Sequence, residues 1–246
     1  MKPDWAYTSD LQAIILAGGR ATRLGNLAER VPKSLLPVAG RPFLEHQLEL
    51  LSASGIRRVI LCLGHLAGAF RAYHGQWKDL WIEHSVEPEP LGTGGAIRHA
   101  LPHLGASFCV LYGDSYLNFS YHGLWEKYRH SKVPVLGVYK NNNQWDKSNA
   151  RVEKDRVIAY SKKSQPDADC IDAGIALLEA RDFRAWPDAR FDLADLYEHL
   201  TQSGRFAAWH VPDRFYEIGS VAGWEELNRK LEPASKIHLR EGTPSA

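Results

Sequence analysis

The 246 residues carry 30 Lys and Arg against 29 Asp and Glu, a net charge of +1, which excludes the broad basic surface that nucleic-acid binders use. Hydrophobic residues make up 44% and charged residues 24%, an ordinary globular composition for a chain that can bury a sizeable core unaided. No apolar run approaches the roughly 20 residues of a membrane-spanning helix, so no membrane partner is expected.

In chain order, MKPDWAYTSD has no apolar stretch of the secretory type and reads as an N-terminal extension over residues 1–10. The short apolar run Ala13 to Ala17 ends in Gly18-Gly19 and fits a strand buried on both faces. RPFLEHQLELLSASGI spaces Phe43, Leu44, Leu48 and Leu51 as a helix, with Gly55 as its cap. RRVILCLG is a second buried strand and LAGAFRAYHG a short helix closed by Gly75. LWIEHSVE reads as a strand, GTGGAIRHALPHLG as glycines opening a helix, and SFCVLYGD as a third buried strand ending on Asp114. YHGLWEKYRHS is helical and PVLGVYKN a strand.

Strand and helix therefore alternate over the first 140 residues or so, as in an α/β, doubly wound, mostly parallel sheet. Ligands of such sheets sit at the carboxyl ends of the strands, where Gly18, Gly64 and Asp114 fall. The texture then changes. NARVEKDRVIAYSKK alternates like a hairpin, CIDAGIALLEA is a strand, and FDLADLYEHLTQSG is a helix with Asp192 at its start and Gly204 past its end. RFAAWHVPDRFYEIGS is a strand, a Pro-Asp turn and a short apolar piece, and VAGWEELNRKLE is a closing helix. Residues 233–246 are polar and expected to fray. No linker divides the chain, so residues 1–246 are read as one domain with a small β-rich insertion. Cys62, Cys109 and Cys170 are far apart, show no zinc-ligand spacing, and read as buried free thiols of a cytoplasmic protein.

The loop after the first strand reads G-G-R-A-T-R-L-G. It lacks the spacing of the dinucleotide fingerprint and of the Walker-type phosphate loop. What remains is a glycine pair, whose backbone can approach a phosphate closely, beside Arg20 and Arg23, with Lys33 in VPKSLLPV downstream. A plain tight turn with exposed basic residues fits the spacing as well.

LAGGRATRLGNLAERVPKSLLPVAGRPFLEHQLELL resembles the signature of the sugar-1-phosphate nucleotidylyltransferases, which reads L-A-G-G-x-G-T-R-L and then P-K-x-L-x-P-V. The resemblance extends through LGTGGA, LYGD, YSKK, IDAGIAL and YEIGS, and so over most of the chain. Ala21 stands where a second loop glycine is usual. The resemblance implies a Rossmann-like nucleotidyltransferase fold and an Mg²⁺-dependent reaction in which an NTP and a sugar 1-phosphate give an NDP-sugar and pyrophosphate. It also admits a homo-oligomer.

A sugar phosphate is already ionised near neutral pH, so the reaction requires no general base; the protein must hold two anions together and neutralise the leaving pyrophosphate. The resemblance implies that Arg23 grips the outer phosphates and that Lys33 lies by the α-phosphate and the attacking phosphate. Arg20 falls at a variable position. Asp114 matches the Mg²⁺-binding aspartate, and Glu217, in Glu217-Ile218-Gly219, stands where the family has a second metal-binding aspartate. Leu16, Ala17, Gly18 and Gly19 would meet the nucleotide from one side. Gly92, Thr93 and Gly94 would meet its base and ribose, with Glu87 within reach of the base edge. Lys162 would contact the sugar phosphate, although Ser161 and Lys163 replace the usual glutamate and proline around it. Asp172 would bind sugar hydroxyls and Gly174 would leave room for the ring.

The histidines show no metal spacing and read as surface or partly buried groups. Trp125, Trp209 and Trp224 read as packing. A phosphocholine-type cytidylyltransferase shares the opening loop but not Lys162 and Asp172. A non-catalytic sensing module would be expected to lack part of the set Arg23, Lys33, Asp114 and Glu217. A glycosyltransferase would need a D-x-D pair where GDSYL has one aspartate.

Overall fold

The computed structural model describes residues 11–19, 31–162 and 167–232. At the centre of its main sheet is β1 (Gln12–Leu16), whose Ala13, Ile14 and Ile15 are fully buried because both faces of the strand are covered. A 3-10 turn, Lys33–Leu35, leads into a small hairpin of β2 (Pro37–Val38) and β3 (Arg41–Pro42) and then into α1 (Phe43–Ala53). β4 (Arg58–Leu63) follows.

The segment expected to be a short helix is a 3-10 helix, Ala67–Tyr73, and Gly75 opens a strand. That strand, β5 (Gly75–Trp77), pairs antiparallel with β6 (Leu80–Val86) at the sheet edge. Then come α2 (Gly92–Ala100), β7 (Ser107–Tyr112), β8 (Ser115–Tyr116), α3 (His122–Ser131) and β9 (Val135–Lys140). β10 (Ala150–Glu153) and β11 (Arg156–Tyr160) form the expected hairpin. β12 (Cys170–Glu179), α4 (Ala180–Arg184), α5 (Leu193–Gln202), β13 (Ala207–His210), β14 (Tyr216–Glu217) and α6 (Val221–Leu231) complete the described chain.

The main sheet has ten strands in the order β10-β11-β13-β9-β12-β7-β1-β4-β6-β5. Its parallel part is β7-β1-β4-β6, with β9 and β13 a further parallel pair. The sheet is mixed because α3 carries the chain from β7 to β9 two positions away. The hairpin then returns the chain at the far edge, and β12 fills the gap antiparallel to both neighbours. A fully buried apolar strand reports that both its faces are covered but not its direction, so this reversal was not expected.

Two apolar clusters lie on opposite sides of the sheet. One gathers Leu44, Leu48 and Leu51 of α1 and Leu124 of α3; the other gathers Ile97 of α2, Phe183 of α4 and Leu196 and Leu200 of α5. A third, around Val38, Phe43, Ile218 and Leu227, fastens α6 to the small hairpin. Helices on both faces leave the carboxyl ends of β1, β4 and β7 as an open edge, and backbone bonds Ala17 N–H to Cys62 O (2.9 Å) and Gly113 N–H to Leu16 O (3.0 Å) extend the ladder to that edge. All three cysteines are buried and free, as expected.

Candidate active site

A cavity of about 430 Å³ opens beyond β1 and β4, lined by Leu16, Gly18, Gly19, Glu87, Thr93 and Asp192 among others. Gly92 also lines it, with φ +75 and a carbonyl, Phe191 O, only 2.5 Å from where a Cβ would stand. Glu87 is turned inward: its Oε2 accepts the Leu91 N–H at 3.1 Å, and its Oε1 lies against Gly18 and Gly64. Thr93 Oγ1 accepts the Leu193 N–H at 2.7 Å, tying the start of α2 to the start of α5. Gly94 differs from its neighbours. It is buried, its N–H donates to Phe191 O at 3.0 Å, and a Cβ on it would overlap the Phe191 ring. Packing against the loop before α5 accounts for this glycine, and neither it nor Ala17 lines the cavity.

Next to this cavity, at the end of β7, stands Asp114. Its Oδ2 accepts from the Lys33 ammonium, with both side chains about one-fifth exposed. The turn carrying it is fastened by Gly113 N–H to Leu16 O, by Ile218 N–H to Asp114 O (2.9 Å), and by Gln47 on α1. The Gln47 amide donates to Tyr112 O and to Ser115 O, both at 2.9 Å. β14 pairs antiparallel with β8, setting Glu217 opposite Ser115. Two carboxylates far apart in sequence thus meet on adjoining backbone.

On the β12 side, Asp172 Oδ1 accepts the Gly174 N–H (2.8 Å) and Oδ2 accepts from the Tyr160 hydroxyl (3.1 Å). Burial pushes this carboxyl up to about 6, against the pull of those two bonds. Gly174 sits where the β12 register shifts, with φ +77 and Ser115 Oγ 2.6 Å from a notional Cβ, so only glycine fits. Lys162 pairs with Asp192 Oδ2 at 2.5 Å and holds that carboxyl below its usual range. The phenol of Tyr112 is pushed well above its ordinary value by burial first and then by Asp172, Asp114, Asp192 and Glu217. One half-buried phenol thus senses four carboxylates.

A second cavity, of about 450 Å³, is lined by Tyr139, Trp145, Ile171, Arg214, Tyr216 and Glu217 among others. The Arg214 guanidinium lies 3.8 Å from the Trp145 ring centre and 4.7 Å from that of Tyr216, and it forks onto Glu226 at 2.7 and 3.1 Å.

Residues 12–148 match the family model described as nucleotidyl transferase. The chain is 32% identical over 213 residues to the D-glycero-alpha-D-manno-heptose 1-phosphate guanylyltransferase of Campylobacter jejuni, covering 85% of this chain and 95% of that one. The chain belongs to the sugar-1-phosphate nucleotidylyltransferase family. It is also 32% identical over 249 residues to a mannose-1-phosphate guanylyltransferase of Mycobacterium tuberculosis, covering 96% of this chain and 69% of the relative. Among solved structures, HddC from Yersinia pseudotuberculosis superposes with a TM-score of 0.75 at 24% identity, over 90% of this chain and 100% of that one. A UDP-glucose pyrophosphorylase of Acinetobacter baumannii gives 0.79 at 16% identity, over 94% and 97%. These likenesses share the fold.

As a sugar-1-phosphate nucleotidylyltransferase, the protein is an enzyme that transfers a nucleotidyl group from an NTP to a sugar 1-phosphate. The family generally uses a divalent metal. Asp114 and Glu217 offer the hard oxygens such an ion takes. Among the described residues no group of three or more His, Cys, Asp or Glu could hold a metal. Two carboxylates fit such a cation, whose remaining ligands would be phosphate oxygens and water. No helix among the described residues is long and apolar enough to cross a membrane.

Of the expected site residues, Lys33, Asp114 and Glu217 come together at one strand end, and Asp172, Gly174 and Lys162 border the same edge. Arg20, Ala21 and Arg23 lie outside the described residues. Asp192, Tyr112, Tyr160 and Gln47 were not anticipated as site residues. Asp192 carries the signature of a helix start, which masks its second role, and Tyr112 gave a signal only as the neighbour of Gly113-Asp114.

Proposed function

We propose that the enzyme is an Mg²⁺-dependent guanylyltransferase that acts on a manno-configured hexose or heptose 1-phosphate and releases pyrophosphate. The names of the relatives in Campylobacter jejuni and Mycobacterium tuberculosis support this choice of base and sugar. So does Glu87 in the first cavity: guanine carries two adjacent donors, N1–H and the 2-amino group, which one carboxylate can accept together. The observation that carries the reading is Lys33 paired with Asp114 on a turn whose backbone adjoins that of Glu217, itself on the wall of the second cavity.

In this reading the backbone from Leu16 to Gly19 and the start of α2 at Gly92 and Thr93 cradle the nucleotide, with Gly94 setting the packing of that helix. The sugar phosphate oxygen is the nucleophile and is ionised near neutral pH, since its second pKa is about 6. Lys33 moves from Asp114 to the α-phosphate and the incoming phosphate, and Lys162 moves from Asp192 to the sugar phosphate. Each ammonium exchanges a carboxylate for a phosphate, so the free enzyme keeps its cations near their working positions. Arg23 holds the outer phosphates. Asp172 and the hydroxyl of Tyr160 accept and donate toward sugar hydroxyls beside Gly174, and the aromatic walls around Trp145 and Tyr216 flank the acceptor. Asp114 and Glu217 would hold Mg²⁺, which supplies charge neutralisation at the phosphates when bound. A cytoplasmic location and a homo-oligomeric state belong to the same reading.

Pyrophosphate release from GTP, CTP, UTP and dTTP, each with mannose, heptose and glucose 1-phosphates, tests the assignment. GTP with a manno-configured acceptor is expected to give the highest kcat/KM. A preference for another base, or for glucose 1-phosphate, would overturn it.

A further inference from the structure

Gln47 lies on α1 among Leu44, Leu48 and Leu51, all fully buried, and is itself 1% exposed. A primary amide in such surroundings is unfavourable unless its polar atoms are paired. Its nitrogen spends both protons, one on Tyr112 O and one on Ser115 O. Its oxygen is buried and has no partner among the described residues. An apolar side chain of the same length would fill the space with no unpaired oxygen of its own, but it would take the donor from both carbonyls. Burial therefore does not account for a glutamine here; the two carbonyls do.

Those carbonyls bracket Gly113-Asp114. The backbone ties on the same turn, from Gly113 to Leu16 and from Ile218 to Asp114, fasten it to β1 and to the segment after β14. Gln47 adds the tie to α1, the helix that Leu44, Leu48 and Leu51 root in the core. Asp114 needs this more than most strand-end carboxylates. It is paired with Lys33 in the free enzyme, and it must let that ammonium go to a phosphate while remaining aimed at a metal. A turn free to swing would follow the lysine.

We propose that Gln47 is a positioning residue for the metal-binding carboxylate, clamping the Tyr112–Ser115 turn while Asp114 changes its cationic partner. The inference rests on the reading of Asp114 as a metal ligand.

The test compares wild type, Gln47→Met, Leu48→Ala and Asp114→Asn. Mn²⁺ binding is read from the EPR signal of the free ion, with GTP present, alongside Tm and the kinetics with GTP and mannose 1-phosphate. Gln47→Met is expected to unfold cooperatively with a Tm a few degrees below wild type, to bind Mn²⁺ about tenfold more weakly and to lose about tenfold in kcat, as supporting residues of metal ligands do. The KM for GTP at saturating Mn²⁺ should stay within about threefold. Leu48→Ala should lower Tm and leave Mn²⁺ affinity alone, separating a positioning effect from a general loosening of α1. Wild-type Mn²⁺ affinity and kcat in folded Gln47→Met, with weakened binding in Asp114→Asn, would overturn the positioning role alone. Wild-type Mn²⁺ binding in Asp114→Asn would overturn the metal reading itself. If Gln47→Met does not fold, Gln47→His, which keeps one ring N–H, is held to the same measurements: a smaller weakening supports the clamp and wild-type values sink it.

Discussion

The two sides of the active edge are built differently. The side from β1 to α2, which we propose takes the nucleotide, is rich in backbone: Leu16, Gly18, Gly19, Gly64 and Gly92 line its cavity, and of the polar side chains there Glu87 and Thr93 accept from neighbouring N–H groups and Asp192 pairs with Lys162. The side from β9 to β14, which the same reading gives to the acceptor, is made of side-chain partnerships between distant segments: Lys162 with Asp192, Asp172 with Tyr160, Arg214 with Glu226 and two aromatic rings. In the proposed reading backbone meets the phosphates that all nucleoside triphosphates share and Glu87 meets the base, whereas side chains on the other side meet a particular sugar. The difference says where substrate specificity of each kind is open to change. At the border stand Asp114 and Lys33, paired with each other and serving both sides in that reading.

The border should break first. Asp114→Asn keeps the shape and removes the charge, and is expected to lower kcat by about 10³-fold with an unchanged Tm, as loss of a metal-directed or transition-state charge does. Near wild-type turnover would dissolve the boundary between the two sides. Lys33→Ala should cost about 10²-fold in kcat/KM and raise the KM for both substrates, because in the proposed reading one ammonium serves both phosphates. An effect on one substrate only would assign Lys33 to that side.

The backbone side answers to shape more than to charge. Gly94→Val collides with the Phe191 ring and is expected to destabilise the fold by about 1–3 kcal/mol, measured by chemical denaturation, with a loss of activity that follows the loss of folded protein. A fully stable but inactive Gly94→Val would restore Gly94 to the nucleotide contacts.

The smallest effect belongs to Asp172. Burial lifts its carboxyl to about 6 in the folded protein, above the roughly 3.9 of an unfolded chain. The folded state therefore binds this proton more tightly than the unfolded one. The stabilisation is present below about pH 4 and is lost as pH rises through about 6. Wild-type Tm should thus fall relative to Asp172→Asn between pH 4 and pH 6.5, a window in which the variant lacks this contribution. Parallel Tm curves would mean that the carboxyl is not desolvated.

How much of this was legible follows the same division. β1, β4 and β7 stood out because a strand covered on both faces is a continuous apolar run, and α1 because Phe43, Leu44, Leu48 and Leu51 repeat at helical spacing. Lys33, Asp114 and Glu217 were legible through short motifs, each of which folds into one local turn. The direction of β12 was not, since pairing direction leaves no mark on burial. Asp192 carries in the chain only the signal of a helix start, and its link to Lys162 depends on how the hairpin packs. Gln47 gave the least signal. It interrupts the apolar face of α1, and nothing nearby in the chain reveals the carbonyls it meets 65 and 68 residues away.

The most direct test of the central claim, that phosphate-binding cations and a metal-binding carboxylate pair join the two sides into one nucleotidyl-transfer site, is pyrophosphate release from GTP and mannose 1-phosphate in Mg²⁺ and again after its removal with EDTA. The predicted result is release that stops with the chelator and returns in full when Mg²⁺ is added back. Release at the same rate in EDTA, from the purified protein and with GDP-mannose as the second product, would contradict it.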